Sequence, residues 1–307
     1  MSTLAKKRVV DPVLTNLARG YHNAALIATV LFPVVTVSKE VGKIPEFTKE
    51  SFKIYKTERA IRARSNRISP EDRTEIEYVL TEHDLEYPLD YRESEEDIFP
   101  AKINATSVVA HGIALRLEKL AADLVQDLNS YPAGNKITLS STDKFDNPAS
   151  NPFVVFNNAI EAVRRKIAVR PNVCILGASA FASLKEHPAV LDRIKYTQHA
   201  VITVDLLKAL LNFEQLFVGD AVYVDDDGNQ PDIWSDNVIL AYVPKQLSDV
   251  SRSYYEPSFA YTLRKKNMPV MDSYDEQGKL LVIRNTDIFI PKIVGADAGY
   301  LINDVNS

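Results

Sequence analysis

The strongest hydrophobic pattern in the chain lies between Ala101 and Tyr131, where apolar residues recur at steps of four and three. This spacing puts them on one face of an α-helix, so we predict a single helix over this range, about 45 Å long at ~1.5 Å per residue. The segment 131–135 should end the helix, because Pro132 lacks a backbone donor and Gly134 favours a helix stop. The predicted apolar stripe comprises Val109, Ile113, Leu117, Leu120, Leu124 and Leu128, and the charged residues Arg116, Glu118, Lys119, Asp123 and Asp127 fall mostly off it.

Between residues 43 and 90 the pattern becomes strand-like. Apolar and polar positions alternate through 76–81, which is typical of a half-exposed ribbon. The segment 69–72, Ser-Pro-Glu-Asp, supplies a turn. We therefore predict one long β-hairpin, some 20 residues out and 20 back, which would reach roughly 60 Å at ~3.3 Å per residue.

Elsewhere short helices alternate with strands, and strands dominate near the end. Asn151-Pro152 should begin a second helix, since proline is tolerated at a first helical position. This mixture indicates an α+β architecture. The other predicted helices are 179–185, a short one from His187-Pro188, and 203–211; the predicted strands are 34–37, 172–176, 215–224, 238–243, 255–263 and a pair of β segments around Asn285 within 280–293.

The first 42 residues are predicted to form an extended arm. Asp11-Pro12 could start a short helix, and an apolar run follows at 25–33. Two interpretations stay open: a helix packed in the core of its own chain, or an arm that crosses to another subunit.

Charge separates within residues 43–97, because the outgoing half of the predicted hairpin is mostly basic and the returning half mostly acidic. A lone hairpin is marginally stable in water. We therefore predict that it is ordered by lying on a neighbouring copy of the same chain, with its basic strand against an acidic strip. The predicted contact residues are Lys49, Lys53, Lys56, Arg59, Arg62, Arg64 and Arg67, and the predicted acidic partners are Glu71, Glu75, Glu77, Glu93, Glu95, Glu96 and Asp97.

Two alternatives for this segment stay open. A solvated hairpin without a partner is the simpler one. The basic strand could instead neutralise nucleic-acid phosphates, although the acidic stretch directly after it would repel the same ligand. We favour complementary strips between subunits, because they account for both signs of charge and set register and partner choice.

The composition narrows the classes of protein. The chain has 307 residues and a net charge of −5, which argues against a protein that coats nucleic acid over its whole surface. Cys174 is the only cysteine, so an intrachain disulfide and a cysteine-based zinc site are excluded. The N-terminus lacks the apolar core of a signal peptide, and the apolar run 24–37 is shorter than the ~20 residues of a spanning helix. We expect a protein without a membrane contact that folds in a reducing cytoplasm.

Candidate chemistry is sparse. The five histidines (His22, His83, His111, His187 and His199) show no metal-like spacing, and no phosphate loop, nucleophile elbow or zincin helix occurs. We interpret His111 as a structural residue and His187 as a turn residue. The acidic segment 225–229 could hold a hard cation, but its Asp-Gly pair favours a hairpin turn. We expect no catalytic residue, no metal and no cofactor.

Several stretches of the chain, together with the order of its elements, resemble the major capsid proteins of tailed bacteriophages, which have the Hong Kong 97-like fold. The resemblance covers essentially the whole chain, and its motifs are structural. The stretches are Asp11–Thr15, Leu31–Val35, Val218–Val224, Ile233–Pro244, Pro257–Arg264 and Ala296–Ile302.

This resemblance implies a division of the chain. Residues 1–42 would be the N-terminal arm, 43–90 the extended loop (a β-hairpin) on an adjacent subunit, and 91–170 the peripheral domain with its spine helix. Residues 171–251 would be the axial domain that clusters at fivefold and sixfold centres, and 252–307 the β segments that return to the peripheral domain. Some members of the family link the extended loop to a neighbour through a lysine–asparagine bond, for which Lys49, Lys53 and Lys56 are the candidates.

The function implied is that of a non-enzymatic major capsid protein, which self-assembles into an icosahedral shell around double-stranded DNA. Its partners would be many copies of itself in pentamers and hexamers and non-specifically held DNA, with scaffold, portal and decoration proteins left open. It would reside in the virion, and in the host cytoplasm during assembly. The alternatives are an encapsulin-type compartment and, from a different class, an α/β metal-dependent enzyme that uses Asp225–Asp227.

Overall fold

The computed structural model describes residues 9–10, 26–47, 54–62, 64–67, 74–92, 101–195, 202–245 and 253–306. Helices and strands are mixed along this part of the chain. The α-helices are α1 (Ala28–Leu31), α2 (Ala101–Gln126), α3 (Pro152–Ile167), α4 (Ala178–Glu186), α5 (Pro188–Ile194) and α6 (Val204–Leu211). The strands are β1 (Val9–Val10), β2 (Val34–Val37), β3 (Val41–Pro45), β4 (Glu75–Val79), β5 (Thr81–Asp90), β6 (Lys136–Thr138), β7 (Val173–Gly177), β8 (Gln215–Gly219), β9 (Val238–Ala241), β10 (Ala260–Lys265), β11 (Val270–Glu276), β12 (Leu280–Ile293) and β13 (Gly299–Asn303).

The larger sheet is built around β12. This strand pairs with β11 and then with β10 along one edge, and with β5 along the other, since Phe289 pairs with both Arg264 and Thr81. Strand β2 pairs in parallel with β10, and β1 pairs with β11. The prediction of two β segments around Asn285 was wrong: β12 is continuous, because β5 pairs with it from Leu280 to Phe289 and β10 pairs with it from Phe289 to Ile293.

Helix α2 covers one face of this sheet with part of the stripe that its periodicity predicted: Val109, Ile113 and Leu117 are buried, but Leu120, Leu124 and Leu128 are only partly buried. Its first half packs Ala105 and Val109 against Ile283, and Ile113 and Leu117 lie against Phe289 in the next cluster. The helix ends at Gln126, five residues earlier than predicted. The reason is local, because the Asp127 side chain accepts a hydrogen bond from the backbone N–H of Asn129 and starts a 3₁₀ turn over Leu128–Ser130.

The second sheet has the strand order β6-β13-β9-β7-β8. Its central strands β7 and β9 are buried along their whole length, because both faces of the sheet are covered. One face packs on α3 to α6 through side chains such as Leu240, and the other packs on α1 and the C-terminal half of α2 through side chains such as Ile239. The predicted strands 215–224 and 238–243 lie in this sheet but are shorter than predicted.

The predicted hairpin over 43–90 is only partly correct. Strands β3 and β4 do pair in antiparallel fashion. Strand β5, however, leaves the hairpin and pairs with β12, because its apolar side chains Tyr87 and Leu89 pack under α2. Residues 54–60 form no strand, and the predicted turn at 69–72 lies outside the described residues.

Candidate assembly surface

The base of the β3–β4 hairpin is fixed to the larger sheet. Ile44 and Tyr78 are buried on its inner face with Val35 and Leu263. The Tyr78 hydroxyl donates to the carbonyl oxygen of Lys39 at 3.3 Å. Tyr78 also lies so close to Gly42 that a Cβ there would meet the tyrosine oxygen at 2.7 Å. The hairpin therefore leaves the domain in a defined direction.

The outer face of this base carries charges that already have partners in the same chain. The Lys43 ammonium lies 3.5 Å from a Glu75 carboxylate oxygen and 3.4 Å from one of Glu77. The hydrogen bond and the charge of Glu77, followed by the charge of Glu75, raise the pKa of Lys43. Two of the predicted acidic partners thus contact a lysine of their own chain, and both carboxylates stay largely accessible to solvent.

Beyond the base, residues 54–62 and 64–67 form a segment that we call the basic tip. Every one of these residues is exposed, and Ile54 and Ile61 have 100% and 93% of their surface in solvent. The side-chain amide of Asn66 donates to the carbonyl oxygens of Lys56 at 2.9 Å and Glu58 at 3.1 Å, which holds the tip as a loop. Fully exposed isoleucines among cationic side chains are typical of a surface that binds a partner.

The structure places the predicted contact residues as follows. Lys56, Arg59, Arg62, Arg64 and Arg67 all lie on the exposed basic tip, where Glu58 is the acidic residue among them. Their pairing with a neighbouring copy stays a prediction. The other predicted residues, which are Lys49, Lys53, Glu71, Glu93, Glu95, Glu96 and Asp97, lie outside the described residues.

The expectation that Glu118 lies off the buried stripe of α2 was wrong. One carboxylate oxygen accepts from the backbone N–H of Ile27 at 2.9 Å and from the Trp234 indole N–H at 2.7 Å. The other oxygen accepts from the backbone N–H of Ala28 at 2.7 Å. Burial raises the pKa of Glu118, and the three hydrogen bonds act against that rise. Nothing in the local pattern reveals this site, because its donors are supplied by residues 90, 91 and 116 positions away.

Two turns further along α2, Gln126 binds the same loop. Its amide donates to the carbonyl oxygen of Ile233 at 2.9 Å and accepts from the Asn237 amide at 2.9 Å. Trp234 between them is fully buried, and a Cβ on Gly219 would lie 2.4 Å from its ring. Glu118 and Gln126 thus connect α2 to the loop between β8 and β9 of the second sheet.

The acidic segment 225–229 is a turn, as its Asp-Gly pair predicted. The Asp225 carboxylate accepts from the backbone N–H of Asp227 at 3.0 Å and from that of Asn229 at 2.7 Å, and Val222 forms a bridge with Asp232. Hydrogen bonds from Asn229 lower the pKa of Asp225. Among the described residues, no group of three or more His, Cys, Asp or Glu could hold a metal ion.

One serine–histidine pair is present, and its geometry is structural. His187 caps the start of α5, where its Nδ1 accepts from the backbone N–H of Ala189 at 3.1 Å. The proton of the neutral ring is therefore on Nε2, which lies 3.0 Å from the Ser150 hydroxyl and 3.1 Å from the Asn147 carbonyl. A nitrogen that carries its proton cannot take one from Ser150.

The sequence also raised two further questions: whether the other histidines could bind a metal, and whether any helix could span a membrane. His83 stacks on Phe289 with ring centroids 4.2 Å apart, and burial, together with the charge of Arg116, lowers the pKa of His83. His22 and His199 lie outside the described residues. In the described part of the chain no helix is both long and apolar enough to cross a membrane.

Comparisons with known proteins point to one family. The sequence model of the family described as phage major capsid protein E matches residues 14–278. The major capsid protein of Burkholderia phage BcepMu is 54% identical over 306 residues, which is 100% of both chains. The major capsid protein of Pseudomonas phage JBD67 is 31% identical over 221 residues, which is 69% of each chain.

Solved structures share the whole architecture. A phage-related protein from Bordetella bronchiseptica RB50 matches with a TM-score of 0.82 and 35% identity over 97% of this chain and 98% of its own. The mature capsid of bacteriophage PhiM1 matches with a TM-score of 0.59 and 12% identity over 92% and 88%. An encapsulin complex from Synechococcus elongatus matches with a TM-score of 0.54 and 13% identity over 97% and 96%. The last two likenesses concern the fold alone.

Proposed function

Because the chain belongs to the phage major capsid protein E family, we propose that its copies assemble into an icosahedral shell that encloses the double-stranded DNA of a tailed bacteriophage. The predicted α+β fold of the Hong Kong 97 type and the predicted role as a phage major capsid protein are both confirmed. An encapsulin-type compartment is not favoured, since the encapsulin is 13% identical and the BcepMu capsid protein 54%.

The proposed mechanism is geometric. Each copy would contact its neighbours through unlike surfaces, and such contacts close into rings, here pentamers and hexamers. The observation that carries this proposal is the basic tip, which is fully exposed on a hairpin with a fixed base. An exposed set of arginines with bare isoleucines between them supports a role in reaching a neighbouring copy.

The finer assignments follow the same logic. We propose the division expected from the sequence: 1–42 as an arm, 43–90 as the extended loop, 91–170 as the peripheral domain, 171–251 as the axial domain and 252–307 as the returning β segments. Within 43–90, the strand β5 belongs to the larger sheet and not to the hairpin. Inside the shell, DNA would be held by confinement and weak, non-specific contacts, which a net charge of −5 permits. The virion would be the final location and the host cytoplasm the site of assembly. Portal, scaffold and decoration proteins are the further partners that such a shell uses.

The family is one of structural capsid proteins, and we propose that this chain has no enzymatic activity. The protonated Nε2 of His187 and the self-satisfied Asp225 turn support that proposal.

Electron microscopy of the purified, expressed chain tests the proposal directly. We expect closed shells from the wild type. The variant Arg59→Glu/Arg62→Glu/Arg64→Glu should stay folded, since these side chains are exposed, but should give at least about tenfold fewer shells, because one misplaced like-charge pair costs several kcal/mol. The control is Lys102→Glu/Lys185→Glu/Lys195→Glu, which reverses three exposed lysines elsewhere. A wild type that stays monomeric would refute shell assembly, and normal shells from the arginine variant would refute the role of the tip.

A further inference from the structure

The face of the larger sheet that points away from α2 is strongly acidic along β5 and β11, the two strands that flank β12. Residues paired across antiparallel strands point to the same face, and Glu86, Arg284 and Asp272 stand in one such row. Contacts verify the row and its neighbours: the Tyr274 hydroxyl donates to Glu86 at 3.1 Å, and the Thr286 hydroxyl donates to Asp84 at 2.9 Å. The carboxylates on this surface, which we call the acidic face, are Glu82, Asp84, Glu86, Asp90, Asp272 and Glu276.

Among the described residues, Arg284 is paired with three of these carboxylates. Arg284 lies among the carboxylates, and the buried Asp272 holds its guanidinium with two hydrogen bonds. Asp84 and Glu86 approach Arg284 only to 3.8 and 3.7 Å, and their side chains keep 39% and 42% of their surface in solvent. One guanidinium thus faces three carboxylates, those of Asp84, Glu86 and Asp272, so this part of the acidic face carries an excess of negative charge.

This surface lies at an accessible border of the sheet. Among the described strands, β5 pairs with β12 alone, so its other edge carries no strand. Alternating acids and Pro88 discourage the addition of a further strand there. These features leave the acidic face accessible to the side chains of a partner.

We infer that the acidic face is the docking surface for the basic tip of a second copy of this chain. This inference rests on the proposed function and names the surface that the tip binds. The tip offers one lysine and four arginines against Glu58, and arginine forms paired hydrogen bonds with carboxylates. The exposed Glu82, Asp84 and Glu86 are spaced at every second residue, so three carboxylates point outward in line.

A second copy fits better than the tip of the same chain. The chain passes from β4 through Leu80 into β5, so the base of the hairpin and the acidic face lie in successive parts of an extended stretch. From Glu75 to Glu86 this stretch covers about 36 Å at ~3.3 Å per residue. Glu75 and Glu77, two of the acidic partners expected from the sequence, are engaged with Lys43.

A charge swap tests the inference. The face variant Glu82→Lys/Asp84→Lys/Glu86→Lys should lower the yield of shells at least about tenfold, the change that ~1.4 kcal/mol of lost contact produces. Combining it with Arg59→Glu/Arg62→Glu/Arg64→Glu should restore assembly, because every reversed tip then meets a reversed face. A merely structural effect of the face residues would not be rescued in this way.

Controls separate the possible failures. Asp143→Lys/Glu186→Lys/Asp192→Lys reverses three exposed acids that lie outside the larger sheet and should assemble normally. If the face variant has a lowered melting temperature, the isosteric variant Glu82→Gln/Asp84→Asn/Glu86→Gln is used in its place. We expect this variant to lose fewer shells, because it removes the negative charges without reversing them. Normal shells from folded face variants would overturn the inference, as would a reconstruction with the tip elsewhere on the neighbouring copy. Absence of shells from the wild type would instead refute the proposed function.

Discussion

At the scale of single residues, Glu118 joins parts of the chain that are far apart in sequence. Its carboxylate accepts from two backbone N–H groups at the start of α1 and from the indole of Trp234. All three donors are buried, so no solvent replaces the carboxylate if it is removed. A buried donor without an acceptor costs about 1–3 kcal/mol.

Glu118→Leu is therefore expected to lower the free energy of unfolding by about 3 kcal/mol or more, since it keeps the volume and leaves three donors unsatisfied. Glu118→Gln keeps one acceptor oxygen and should lose clearly less. Urea denaturation of the unassembled subunit, followed by tryptophan fluorescence, measures both. A Glu118→Leu variant as stable as the wild type would show that the hydrogen bonds of Glu118 do not stabilise the fold.

Sequence alone does not reveal Glu118, for a physical reason. A glutamate in a helix pattern is normally solvated, because an unpaired buried carboxylate is costly. Only the tertiary fold brings Ile27, Ala28 and Trp234 to its side. By contrast, Val109 and Leu117 were predictable, since helical spacing alone decides which face of α2 they occupy.

At the scale of elements, some helices, turns and strands are predictable from local periodicity, whereas others depend on which strands pair in the folded chain. The long helix, the turn at Asp225 and the strand β7 follow from local pattern and turn chemistry. The assignment of β5 does not, because alternation fits a solvated ribbon and a sheet edge equally well. Its partner β12 lies about 200 residues away in the sequence, so pairing depends on the whole fold.

The contact between β8 and the loop at Trp234 gives a prediction at this scale. A Cβ on Gly219 would lie 2.4 Å from the indole ring, which is itself fixed by Glu118. Gly219→Ala should destabilise the subunit by about 1–3 kcal/mol, the usual cost of overpacking. Gly134→Ala is the matched control, because its nearest neighbour would be Lys166 Cε at 3.9 Å. Thermal unfolding measures the melting temperatures of the two variants. Equal values would mean that the loop at Trp234 moves aside without a loss of stability.

At the scale of the whole molecule, charges of opposite sign are kept apart on surfaces that one chain does not bring together. The basic tip has an excess of cations, and the acidic face has an excess of carboxylates. The proposed docking of the basic tip on the acidic face would fix the orientation of each subunit relative to its neighbour. Hydrophobic contact by itself would not set that orientation, since it is non-directional.

This separation predicts how assembly responds to salt. Exposed charges are screened within about 10 Å at 0.1 M ionic strength and about 3 Å at 1 M. Light scattering should therefore show shell formation slowing as sodium chloride rises over this range, while the unfolding of the separate subunit changes little because its cores are buried. The face variant Glu82→Gln/Asp84→Asn/Glu86→Gln should show a flatter dependence than the wild type. Assembly that instead strengthens steadily with salt would indicate that apolar burial, not charge pairing, brings the copies together.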